Sequence, residues 1–130
     1  MTQKEANKLF KKNRVNVDLL FQYVHVFFTK EDYNNALLWR EGATHKTYIG
    51  VAYESILENN ETNEESHLFM IGIFVNDSEV VVHECAHMAR FLLNYIEQPL
   101  NDKHDEMMPY LVQYLYSQII PMMKKHFEAV

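Results

Sequence analysis

Residues 67–97 read His67-Leu-Phe-Met-Ile-Gly-Ile-Phe-Val75, then Asn76-Asp77-Ser78-Glu79, then Val80-Val-Val-His83-Glu84-Cys85-Ala86-His87-Met-Ala-Arg-Phe-Leu-Leu-Asn-Tyr-Ile-Glu97. The first piece is apolar on both faces and rich in branched and aromatic residues, which predicts a buried strand. The second is a cluster of capping residues with an acidic residue placed for a first helical turn. The third predicts a helix from Val80 to about Glu97, stopped by Pro99. A helix that is apolar nearly all round is a buried one. A buried strand feeding a buried helix sets the frame of the whole chain.

Three polar residues interrupt that helix at a spacing that carries chemistry. His83 and His87 stand at i and i+4, one turn apart on one face. Two imidazoles so placed can reach one metal ion at about 2.0–2.1 Å. Glu84 is one step round from His83, beside the ion rather than on it, where it can act as a general base on water. With 7 His in 130 residues, an HExxH string arises by chance in about one such chain in 30. The capped helix start and the apolar surroundings lower that figure, because polar groups on a buried helix need partners. A tetrahedral catalytic site takes a third protein ligand. The candidates are Glu106, Asp105, His104 and Asp102, with Glu106 eighteen residues beyond His87 and near the start of the next predicted helix.

Composition bounds the rest. A chain of 130 residues with 48% apolar and 13% aromatic content is one domain, 1–130, with enough apolar material for a core. The net charge of −6 argues against a nucleic-acid partner. Lys4, Lys8, Lys11, Lys12 and Arg14 are the exception, and read as a solvated helix face or a flexible arm over residues 1–14. A single cysteine, Cys85, excludes an internal disulfide. The polar N-terminus is no signal peptide and no apolar run spans a membrane, so a cytoplasmic, reducing compartment is expected, with no membrane partner.

Around the deciding stretch, residues 23–28 predict a buried strand. Thr29 caps a helix over Lys30–Glu41 that Gly42 stops. Residues 46–53 predict another strand, and 54–65, rich in Glu and Asn, an exposed loop. A last helix runs from about Asp105 to Ser117 or beyond, with Pro109 forcing either a start near 105 or a kink. Leu111 and Leu115, with Tyr110 and Tyr114, recur at helical spacing as a packing stripe. The order is β-α-β-β-α-α, an α+β fold with a small sheet of about three strands against the HExxH helix and the helix after it.

On His83, Glu84, His87 and Glu106 the chain resembles the zincin metallopeptidases, within them the gluzincin branch with its HExxH-x18-E spacing. The metzincin pattern fails, since Arg90 and Leu93 stand where it needs Gly and His. The resemblance implies a minimal zincin-like core, one Zn2+ held by His83, His87 and Glu106, Glu84 as general base, and a peptide or protein substrate. It also implies an oxyanion-stabilising group outside the motif, for which Tyr110, one turn after Glu106, is the candidate. More loosely, residues 20–120 resemble small, mostly uncharacterised phage and prophage HExxH proteins, which implies a viral or mobile-element origin and host cytoplasm. An extended substrate is expected to pair with a free strand edge, that of residues 67–75. Only about 24 residues follow Glu106, too few for a second domain to wall a cleft. A homodimer would supply the missing wall. The alternative is a zinc-containing binding or regulatory protein without peptidase activity.

Overall fold

Thr2 opens the first element. Its hydroxyl accepts from the Glu5 backbone while the Glu5 carboxylate reaches back to Thr2, capping helix α1, Gln3–Lys12. The structure is a computed structural model and describes residues 1–96 and 106–128. The basic N-terminal stretch is thus a helix docked through Ala6, Leu9 and Phe10, with Lys4, Lys8, Lys11 and Lys12 exposed.

Strand β1, Arg14–Val17, a 3-10 turn at Asp18–Leu20 and strand β2, Gln22–Phe27, follow. The sequence reading has no strand over 14–17, because four residues carry too little alternation to announce one. Phe21, which joins the turn to β2, takes the left-handed backbone at φ 53. That conformation costs a non-glycine residue about 1 kcal/mol.

Helix α2 spans Lys30–Glu41, as its caps predict. Thr29 accepts from the Asp32 backbone, and Gly42 ends the helix at φ 75. Strands β3, Gly50–Asn59, and β4, Glu64–Ile73, form a long hairpin. The expected loop at 54–65 is therefore mostly strand. Glu and Asn are poor strand formers, yet Ser55, Leu57 and Asn59 pair with Leu68, Ser66 and Glu64. A partner strand overrides weak propensity.

The sheet order is β1-β2-β4-β3, with β2 and β4 parallel and the outer pairs antiparallel. It is an α+β fold with four strands, one more than expected. Strand β4 lies inside the sheet. Its Leu68 and Met70 pack toward Tyr33, Ala36 and Leu37 of α2, and its Phe69, Ile71 and Ile73 pack on the opposite face. This corrects the expectation that 67–75 offers a pairing edge. Apolar residues on both faces are the mark of a central strand, and the edge beside it belongs to β3.

Helix α3, Ser78–Tyr95, starts at Asp77, whose carboxylate accepts from the Glu79 backbone. Helix α4 spans Met107–Phe127 and runs ten residues past Ser117. Pro109 is its third residue, where no backbone donor is needed, so the first turn accommodates it, and Pro121 lies in the helix interior. Leu111, Leu115, Ile119 and Met123 form its buried stripe. The two helices are antiparallel. Asn76, before α3, donates to Glu128, after α4, at 3.4 Å, while Met107 and Leu20 line one hollow at the other end of the sheet. No described helix is long and apolar enough to cross a membrane.

Candidate metal centre

The buried stripe of α3 runs through Val80, Val81, Glu84, Cys85, Met88, Ala89, Leu92 and Leu93. Burying that stripe on the sheet turns His83 and His87 outward, and both are exposed. Their Nε2 atoms lie 3.2 Å apart, with the rings 4.8 Å apart at 79°. Two nitrogens bound at about 2.05 Å to one tetrahedral ion stand roughly 3.3 Å apart. The two rings stand at N–H···N hydrogen-bond distance, a separation that also fits two ligands of one tetrahedral ion, set by the i, i+4 spacing of a helix anchored on its other side.

Glu84 differs from its neighbours in environment. Its side chain is 8% exposed, against 69% for His83, and its Oε1 is 3.8 Å from His83 Nε2. The room for it comes from Gly50, the first residue of β3. A Cβ at that position would meet Glu84 Cγ at 3.1 Å and Val80 Cγ1 at 2.7 Å. Burial pushes the Glu84 carboxyl above its ordinary value, opposed by the two histidines when they carry charge. A carboxylate held at the rim of the core beside two imidazole nitrogens is suited to accept a proton. Cys85 lies on the sheet side, fully buried, its thiol pushed up to about 12 by burial and the Glu84 charge. It takes no part in the pair.

The structure brings His83, Glu84 and His87 together, and places Glu106 and Tyr110 elsewhere. Glu106 is the exposed N-cap of α4, at the end where α3 finishes. Tyr95, in the last turn of α3, accepts from Gln22 there at 3.1 Å. Eight residues of helix separate Tyr95 from His87, about 12 Å of rise. Among the described residues no group of three His, Cys, Asp or Glu could hold a metal ion. Tyr110 is 64% exposed and stands over a hollow lined by Val17, Leu20 and Tyr114. The other third-ligand candidates, Asp102, His104 and Asp105, fall outside the described residues.

Two features near the pair escape sequence reasoning. Gly50 is one, although a lone glycine in a strand pattern signals close approach by another group. The other is a polar network across the sheet on the α2 side. The Tyr33 hydroxyl pairs with His45 Nε2 at 3.0 Å, and the Tyr53 hydroxyl donates to Glu41. Burial, joined by the Tyr53, Glu41 and Glu84 charges, drives the Tyr33 phenol well above its ordinary range. No spacing in the sequence links residues 33, 41, 45 and 53. Comparison with protein-family models, curated proteins and solved structures finds no match to this chain.

Proposed function

We propose that the chain is a zinc-dependent hydrolase of peptide bonds, with His83 and His87 as metal ligands and Glu84 as general base. The observation that carries this reading is the 3.2 Å separation of the two Nε2 atoms, with the buried Glu84 carboxylate 3.8 Å from one of them. Zinc, when bound, supplies Lewis acidity and lowers the pKa of water toward neutrality. Glu84 would take a proton from water and hand it to the leaving amine, a task favoured by its raised pKa. The third ligand is assigned to Glu106 on its spacing from His87, with Asp105 and His104 next in line. In the structure Glu106 sits at the far end of α3, so as placed it does not complete the site.

The free edge of β3 begins at Gly50, directly over Glu84. An extended peptide paired with that edge would pass the histidine pair, so β3 replaces residues 67–75 as the proposed substrate strand. The rival reading, a zinc-holding binding protein without activity, draws on the openness of His83, 69% exposed with little of the described chain walling it.

Metal analysis of the purified protein, paired with cleavage of a quenched-fluorescent peptide library, separates these readings. Wild type should hold close to one zinc per chain, His83→Ala should lose it, and Glu84→Gln should keep it while losing cleavage. Zinc retained by Glu106→Ala would move the third ligand to Asp105 or His104. Turnover unchanged in Glu84→Gln would remove Glu84 as the base, and unfolding on chelation would favour a structural zinc.

A further inference from the structure

At the opposite end of the sheet from Gly50, the turn before β2 presents apolar side chains to solvent. Phe21 is 92% exposed and Leu19 84%. Phe21 also holds the left-handed backbone at φ 53, which aromatic residues rarely adopt. A ring so exposed gains almost no packing among the described residues to offset that conformation. Beside it lies a hollow of about 220 Å³, walled by Val17, Leu19, Leu20, Met107, Leu111 and Tyr114. An apolar cavity of about 150 Å³ is enough to admit benzene, so this hollow accepts a phenyl ring.

We propose that this surface is the contact of a symmetric dimer, in which Phe21 of each copy enters the hollow of the other. Knob and hollow share the turn at residues 18–21, whose Leu19 and Leu20 line the hollow that α4 closes. A two-fold axis between copies therefore satisfies both at once and closes the assembly. Leu19, Phe21 and Tyr110 together expose on the order of 500 Å² of mainly apolar surface. A standard interface buries about 800 Å² per partner, an apolar centre plus a polar rim. The patch supplies the centre, and Asp18 supplies a charged group at its border. The surface is remote from His83 and His87, so assembly is independent of the zinc reading.

Sedimentation equilibrium of the full chain, from about 1 to 200 µM, tests this at the affinities such a patch supports. Wild type should rise from the 15.5 kDa monomer toward twice that mass. Phe21→Asn should stay monomeric over the whole range, a loss of affinity of at least about tenfold. Asparagine accepts the left-handed backbone and the residue it replaces is 92% exposed, so this variant should unfold at an unchanged or higher denaturant midpoint at 1 µM. Leu19→Ser should weaken the dimer in the same direction. A wild type that stays monomeric at 200 µM overturns the proposal. So does a Phe21→Asn chain that dimerises like wild type, or growth beyond the dimer.

Discussion

Replacing Gly50 with alanine tests how Glu84 is housed. The new Cβ would lie 2.7 Å from Val80 Cγ1, 3.1 Å from Glu84 Cγ and 3.3 Å from the Gly72 carbonyl oxygen. None of these is the loose end of a flexible chain. Val80 is buried in the first turn of α3, Glu84 is held near the root of its side chain, and the third atom is backbone. Overpacking of this kind costs about 2 kcal/mol, which for a chain of 130 residues lowers Tm by roughly 6–10 °C. Gly42→Ala is the control. Nothing lies within 4 Å of its Cβ, so only the left-handed backbone at φ +75 is penalised, about 1 kcal/mol. Val80→Ala removes the nearest obstacle and alone costs about 1.5 kcal/mol for two buried methyl groups. In the double variant the new methyl occupies the vacated room, so the combined cost should fall short of the sum by at least about 0.5 kcal/mol. Guanidinium unfolding of wild type and the four variants in EDTA measures this. Strict additivity of Gly50→Ala with Val80→Ala, or a Gly50→Ala cost no larger than that of Gly42→Ala, would refute the packing account.

Three further outcomes follow from other groups. His25, half-buried on β2, pairs through Nδ1 with the Phe10 carbonyl at 2.9 Å, and burial lowers its pKa below 6.5. Its depressed folded pKa means that the unfolded chain takes up the proton first, so stability is lost as pH falls below 6.5. Wild type should lose more stability than His25→Gln between pH 7.5 and 5.5, and equal losses would contradict this. Cys85, buried and with its thiol near 12, should resist Ellman's reagent at pH 8 in the native protein and react once unfolded. Fast labelling of the folded chain would place it elsewhere. Tyr53→Phe removes the hydroxyl that donates to Glu41, whose other oxygen is already buried without a partner among the described residues. It should destabilise by about 1.5–3 kcal/mol in urea unfolding, and a neutral effect would show that water satisfies Glu41 instead.

Much of the fold is legible in local signals. Thr29 and Gly42 bound α2 because a hydroxyl cap and a left-handed glycine act over three or four residues. Asp77 and the apolar run after it announce α3 for the same reason. The hairpin tip is less legible, because residues 54–59 are strand only by virtue of Ser66, Leu68 and their neighbours across the ladder. Strand β1 is too short to show a period.

His83, Glu84 and His87 were determined by sequence alone, since five consecutive residues on a helix have their relative geometry set by 3.6 residues per turn. The place of Glu106 was decided by tertiary structure. A spacing of eighteen residues constrains reach but not direction, and the antiparallel packing of α4 on α3 carries its first turn to the far end. The burial of Glu84 was likewise a tertiary matter. It depends on Gly50, which is distant in sequence and leaves just the space that a carboxylate-bearing side chain fills. Local periodicity writes the histidine pair into the chain, whereas long-range packing chooses the edge strand that covers Glu84.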